Sequence, residues 1–237
     1  ISPDYLCSEC NSNIKVFGLS VCTHCGRPLK IENSKDLKFS SEFCSLCKNE
    51  QYYFFRARSY CSYEGGAAKI IHKYKYNGYT YLGKILSGFL KRAYEYYYSK
   101  EEIDFIDTVP EYSETNRLIV NRYQSDVDAG DFTISHDASG NHMKPLVLLL
   151  SKFTGIPFAD NLVKIKQTPK QQKLDRDSRK VNLSDAFKIK NCLNVHGRNF
   201  LIIDDVWTTG STLNEISYIL KKSGANKIFL LTLARPV

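Results

Sequence analysis

One stretch limits this chain more than any other: Phe200 to Thr212, FLIIDDVWTTGST. Its four leading apolar residues make a run of the kind found in strands buried on both faces, and the run ends in two adjacent carboxylates, Asp204 and Asp205. A sharp turn must follow, because Thr208, Thr209, Gly210, Ser211 and Thr212 are all hydroxyl-bearing or glycine. Directly after them Leu213, Ile216, Ile219 and Leu220 recur at helical spacing until Gly224 supplies a stop. The order is strand, tight polar turn, helix N-terminus.

The first N–H groups of a helix lack intrahelical partners and lie at the positive end of its dipole, so this turn is suited to wrapping a phosphate in amides and hydroxyls. It is not a Walker A loop, since no Gly-Lys-Ser/Thr follows a glycine at the required spacing. The carboxylates cannot bind phosphate. They can accept hydrogen bonds from sugar hydroxyls or face a magnesium ion, which prefers hard oxygen ligands shared with substrate phosphates. A sugar phosphate satisfies both halves.

Leu201 to Thr212 resembles the signature of the type I phosphoribosyltransferases, which bind phosphoribosyl pyrophosphate. The resemblance implies that Asp204 and Asp205 hold the ribose 2- and 3-hydroxyls and that Thr208, Thr209, Gly210, Ser211 and Thr212 hold the 5-phosphate, with Mg2+ accompanying the substrate. Trp207 is unusual inside such a loop and reads either as a hydrophobic anchor or as a lid.

Six of the eight cysteines form three pairs, Cys7/Cys10, Cys22/Cys25 and Cys44/Cys47, each with two residues between. That spacing lets both thiolates of a knuckle turn point at one tetrahedral metal, and a separation of 18 residues between Cys25 and Cys44 allows a hairpin to bring two knuckles together. Cys22, Cys25, Cys44 and Cys47 are therefore expected to form a structural Zn2+ site with no open position for chemistry. Cys7 and Cys10 supply half of a second site, completed by a pair upstream of Ile1 or by a neighbouring chain. His24, inside a knuckle, reads as a bystander, and the isolated Cys61 and Cys192 as small buried apolar residues.

At 237 residues the chain can hold one domain of usual size with its own core plus a small one. Residues 1–58 are poor in apolar runs and are expected to be the ribbon domain, with 59–237 an α/β domain: a parallel sheet flanked by helices. An aromatic strand near Tyr60 leads through Gly65 and Gly66 into a helix carrying Ile70, Ile71 and Tyr74. A second helix is expected from about Tyr81 to Tyr98, its tyrosine-rich end reading as core or interface before a base-stacking platform. Further strands are expected at Ile103–Val109, Pro157–Ile165, Asn199–Asp204 and Lys227–Leu233, and a helix from Met143 to Gly155. The loop after Val109 should face the Thr-Thr-Gly-Ser-Thr turn across the crevice of a parallel sheet. Residues 122–141, rich in Asp, Ser and Gly, read as a long loop, and the basic stretch after Ile165 as a loop able to close over a pyrophosphate.

The chain bears 33 Lys and Arg against 25 Asp and Glu, a net charge of +8, which suits phosphorylated metabolites or nucleic acid without choosing between them. No apolar run approaches the roughly 20 residues needed to span a bilayer, and the start lacks the pattern of a signal peptide; a cytoplasmic location is expected.

Cysteine knuckles, an aromatic-glycine segment and a phosphoribosyl motif in that order resemble the ComF family, double zinc ribbon proteins with a phosphoribosyltransferase domain linked to DNA uptake in competent bacteria. The likeness rests on CTHCGRPL from Cys22, KYKYNG from Lys73, the pattern Thr168, Pro169, Gln171, Leu174, Arg179, Asn182, Ala186, Phe187, and the loop at Asp204. It implies an upstream cysteine pair to complete the first ribbon. The family's Pro-Val-Pro and Arg-Gly-Phe-Asn-Gln elements are not matched: Val109 and Pro110, then Gly140 and Asn141 in a dissimilar loop, stand there instead. Lys73, Lys75 and Arg179 are the candidates for a pyrophosphate. Two functions of different class follow: a binder of phosphoribosyl pyrophosphate or a related ribose phosphate, with transfer to an acceptor the sequence does not name, or a non-catalytic uptake factor whose ribbons and basic surface touch single-stranded DNA or a helicase partner while the pocket senses a metabolite.

Overall fold

The computed structural model describes residue 6 and residues 11–18, 20–29, 43–112, 141–167 and 185–237. Cys7, Cys10, Arg179, the 122–140 part of the expected long loop and the 168–184 part of the basic stretch lie outside the described residues. In chain order the elements are α1 (Ser45–Asn49), β1 (Arg56–Ser62), α2 (Gly65–Tyr76), α3 (Gly83–Tyr97), β2 (Phe105–Thr108), α4 (Lys144–Thr154), β3 (Leu162–Lys164), β4 (Phe187–Ile189), β5 (Phe200–Val206), α5 (Ser211–Lys222) and β6 (Ile228–Arg235). Single 3-10 turns at Thr80–Leu82 and Cys192–Asn194 join them.

Strands β1, β6, β5 and β2 lie side by side in that order, and every neighbouring pair is parallel. Successive side chains of a strand point to opposite faces, so the continuous apolar runs of β5 and β6 supply two cores at once. Leu201 and Ile203 of β5, with Phe229, Leu231 and Leu233 of β6, face α2, α3 and α4. Phe200 and Ile202, with Ile228 and Leu230, face α5 and the cysteine cluster. Each of these nine side chains is almost wholly buried, and each contributes on the order of 2 kcal/mol of transfer free energy. The β1–β6 seam also buries a polar pair, Ser59 Oγ to Thr232 Oγ1 at 2.6 Å, which satisfies both hydroxyls.

Helix α3 buries Ile85, Leu86, Phe89, Leu90 and Ala93, one apolar stripe at helical spacing. Tyr98 beyond its end is fully buried with its hydroxyl donating to Leu230 O at 2.8 Å, which is the core role expected for the tyrosine-rich end, although Tyr96 stays exposed. Helix α4 starts with Pro145 in its first turn and ends at Gly155, whose φ of +74 is the left-handed value a helix stop favours.

Two expectations need correction. The strand expected at Pro157–Ile165 is short and outside the main sheet, apart from a bridge at Phe158 to Ile106; Leu162–Lys164 instead pairs antiparallel with β4 in a two-stranded sheet. Cys61 is buried, but Cys192 is exposed, because it sits on a one-turn 3-10 helix at the surface and not within a packed element. No helix among the described residues is long and apolar enough to cross a membrane.

Candidate functional site

The parallel arrangement brings the C-terminal ends of β2 and β5 together, and the side-chain alternation of β5 then sends its two carboxylates apart. Asp204 shares the parity of Phe200 and Ile202 and turns toward the loop before α5. Asp205 shares the parity of Leu201 and Ile203 and turns toward α2 and the start of α4.

Asp204 lines a small hollow of about 20 Å3 whose other walls are Val206 to Leu213. Within it Thr209 Oγ1 and Ser211 Oγ lie 3.0 Å apart, and Ser211 N–H donates to Thr209 Oγ1 at 3.4 Å. The N–H groups of Thr208, Thr209 and Gly210 have no hydrogen-bond acceptor among the described residues. Gly210 is the N-cap of α5, at φ +79, so the positive end of a twelve-residue helix opens onto the hollow. Donors, helix dipole and hydroxyls converge as an anion site requires.

Asp205 is the centre of a charged chain. Its Oδ2 receives Lys75 Nζ at 2.5 Å and His142 Nε2 at 3.0 Å, while its Oδ1 accepts the Val206 N–H at 2.6 Å. His142 Nδ1 reaches Glu111 Oε1 at 2.5 Å, so both ring nitrogens face carboxylates, which favours the doubly protonated imidazolium. The Tyr74 hydroxyl donates to His142 O at 2.8 Å, and Asn141 caps the adjoining backbone by accepting the Met143 N–H at 3.0 Å. Glu111 lies in the loop after β2, so that loop reaches the acid pair at Asp205. It is steadied by Asp107, whose carboxylate accepts the Thr108 N–H at 2.8 Å and the Asn161 N–H at 2.9 Å.

These contacts set the charges. Burial works against the His142 imidazolium, but hydrogen bonds to Asp205 and Glu111 outweigh it and raise its pKa to about 9. Burial likewise works against the Asp205 carboxylate, yet His142 and Lys75 hold it well below the usual carboxylate range. Asp204 is pushed up to about 7, first by lost hydration and then by the neighbouring Asp205 charge. Asp107 is also raised to about 7, by burial.

Of the residues expected at the pocket, Asp204 and Thr208 to Thr212 come together around one hollow, and Lys75 reaches Asp205. Lys73 is exposed, with its Nζ 5.6 Å from the Tyr79 ring centroid. His142 and Glu111 were not anticipated: neither belongs to a motif, and they meet Asp205 only through the fold. Trp207 is an anchor, 3% exposed, with Phe54 packed edge-on against it at 5.6 Å.

The second cluster is the four cysteines. The Sγ atoms of Cys22, Cys25, Cys44 and Cys47 all lie within 4.8 Å of one another, with Cys22 to Cys47 at 3.8 Å and Cys25 to Cys44 at 3.6 Å. Tetrahedral thiolates at about 2.3 Å from zinc stand about 3.8 Å apart, so the donor set fits that ion, and the separations are far beyond the ~2.05 Å of a disulfide. The Gly26 N–H donates to Cys22 O at 2.9 Å to close the first knuckle, and Cys44 opens α1 so that Cys47 follows one turn later. His24 points away from the sulfurs: its Nε2 lies 3.0 Å from Phe54 O and its ring stacks on Phe54 at 4.6 Å.

Residues 144–236 match the family model described as "Phosphoribosyl transferase domain". Along 99% of its length the chain is 28% identical to Competence protein F of Haemophilus influenzae, covering 92% of that protein. It is 25% identical to Competence protein ComFC of Streptococcus pneumoniae over 97% of this chain and 87% of that one. A shorter match, 38% over 77 residues and a third of each chain, is to DNA utilization protein YhgH of Escherichia coli. Among solved structures, the allosteric regulatory enzyme of purine biosynthesis aligns with a TM-score of 0.42 and 15% identity, over 68% of this chain and 30% of that one.

Fold and site thus define a type I phosphoribosyltransferase-like α/β domain with an N-terminal cysteine cluster consistent with a zinc ribbon. The chain is a homologue of the competence proteins F and ComFC, as its resemblance to the ComF family implied.

Proposed function

We propose that the chain binds phosphoribosyl pyrophosphate or a related ribose 5-phosphate together with Mg2+, in the cytoplasm, and serves the handling of incoming DNA suggested by the names of its relatives. The observation that carries this reading is the hollow that Asp204 shares with the Thr208–Thr212 loop. The loop takes the 5-phosphate, and Asp204 meets the ribose hydroxyls or the magnesium ion beside them. Asp205, turned to the opposite face of β5, holds Lys75 and His142 as cations, and Lys75 with Arg179 is a candidate for the pyrophosphate side. Transfer to an acceptor would draw on this preorganised charge, since the departing pyrophosphate gains negative charge where cations already stand. The four cysteines hold zinc in a structural role, and Cys7 with Cys10 contributes to a second ribbon. Isothermal titration with phosphoribosyl pyrophosphate and Mg2+ tests the pocket: binding in the wild type that is lost in Asp204→Asn/Asp205→Asn supports it, and an absence of heat in the wild type removes it.

A second reading has its own observation. Tyr76 at the end of α2 and Tyr79 and Tyr81 just beyond it are exposed, with His72 against Tyr76, Tyr79 against Tyr81, Lys73 near the Tyr79 ring and Lys75 near the Tyr76 ring. Exposed aromatics interleaved with cations suit the stacking of single-stranded DNA. Binding that weakens steeply with salt and is lost in Tyr79→Ala/Tyr81→Ala would favour it; the zinc ribbons and a helicase partner remain the other contacts this reading allows.

A further inference from the structure

The phosphate loop rests on the cysteine cluster through one side chain. Trp207, the chain's single tryptophan, lies beneath the loop, and a Cβ at Gly210 would stand 2.6 Å from its Cε2, so the two are in close contact. The other side of the indole meets the ribbon. Phe54 packs on it, His24 of the first knuckle stacks on Phe54, and the Ala57 N–H of β1 donates to His24 O at 2.8 Å. Trp207, Phe54, Cys22, Cys25 and Cys44 belong to one buried cluster with Leu213 and Ile216 of α5.

Arg235 makes a second tie. It is 2% exposed, its guanidinium lies over the Trp207 ring at 5.1 Å, and its Nη1 donates to Cys25 O at 2.5 Å. A cation buried this deeply needs a nearby counter-charge, and four thiolates around a divalent ion keep a net negative one. The set of cysteines therefore fixes Arg235, Arg235 and Phe54 fix the indole, and the indole fixes Gly210.

We propose that Trp207 is a positioning residue that makes the shape of the phosphate loop depend on metal held by Cys22, Cys25, Cys44 and Cys47. With the ribbon loaded, the indole is clamped and the loop keeps its anion-binding form; with it empty, the indole loosens and the loop loses its floor. Only the ligand arm of this inference rests on the proposed function, because the indole itself reports the coupling.

The test uses the full chain, zinc-loaded and then stripped by chelator under reducing conditions. Stripping should red-shift Trp207 emission and open it to acrylamide quenching, readded zinc should reverse both, and affinity for ribose 5-phosphate should fall by about tenfold, a typical size for coupling between sites. Phe54→Leu, which removes the aromatic link but no ligand, should keep its zinc and its far-ultraviolet dichroism, yet lose affinity for ribose 5-phosphate and show a looser indole. Unchanged emission, quenching and affinity in folded, zinc-loaded Phe54→Leu would overturn the proposal even if stripped wild type unfolds. If the loaded wild type binds no ribose 5-phosphate, the proposed function fails, while the emission and quenching of the same samples still decide the coupling.

Discussion

Nε2 of His142 lies 3.0 Å from Oδ2 of Asp205, and this single contact joins the segment before α4 to the C-terminal end of β5. Through it a lone histidine, 63 residues distant in sequence, becomes part of the acid pair's charge balance. Because its pKa is raised from 6.5 to about 9, the stabilisation it provides is complete below pH 6.5 and is lost as pH rises through 9. A shift of this size corresponds to on the order of 3 kcal/mol. Denaturant melts between pH 6 and 9.5 should show that decline in the wild type and a flatter profile in His142→Asn.

Lys75 and Lys73 stand two residues apart on one helix but should behave differently. Lys75→Met leaves the Asp205 carboxylate short of a partner in a largely buried place, at a cost of about 3 kcal/mol. Lys73→Met removes an exposed cation near a tyrosine ring and should cost under about 0.5 kcal/mol. Paired thermal melts check the contrast.

Asp204, raised to about 7, is partly protonated at neutral pH. A magnesium ion or ribose ligand that requires the carboxylate must then expel a proton. Affinity should strengthen from pH 6 to 8, and calorimetric heats at pH 7 should vary with the ionisation enthalpy of the buffer. Asp204→Asn should abolish that proton release.

Gly210→Ala places a Cβ against the Trp207 indole at a φ of +79. Strain and overlap together should destabilise the protein by about 2 kcal/mol and abolish anion binding. A melt and a phosphate titration on the same sample measure both.

Cys22→Ser/Cys25→Ser should lose one equivalent of zinc by elemental analysis relative to wild type, because the four described sulfurs form one site. The shared cluster with Trp207 predicts a lower melting temperature as well.

Much of this was readable in the sequence, where local chemistry decided the outcome. Phe200 to Leu220 announced strand, turn and helix because apolar run, small turn residues and helical period occur in succession, and paired cysteines announced their own meeting. The start of α4 and the stop at Gly155 follow from equally local signals, as does the burial of Tyr98 within the tyrosine-rich end, Tyr94 to Tyr98, that reads as core or interface. What escaped depends on contacts distant in sequence. Lys164 pairs with Phe187, and three-residue strands carry too little alternation to reveal such a pairing. Glu111 and His142 are 31 residues apart, and no spacing rule brings them to Asp205; the only hint was a strand end at Pro110, where a parallel sheet collects its ligand-binding loops. The bulk of Trp207 in a loop of small residues was visible, but its role as an anchor needed Phe54 and Arg235 beside it.

The turn before α5 is proposed to grip the phosphate of a pentose. Two-dimensional amide NMR of the full chain, titrated with ribose 5-phosphate and Mg2+, addresses it most directly. Saturable shifts should concentrate at Thr208, Thr209, Gly210, Ser211 and Thr212 and diminish in Asp204→Asn. Amides of that turn left unmoved by saturating ligand, or shifts confined to other parts of the chain, would contradict it.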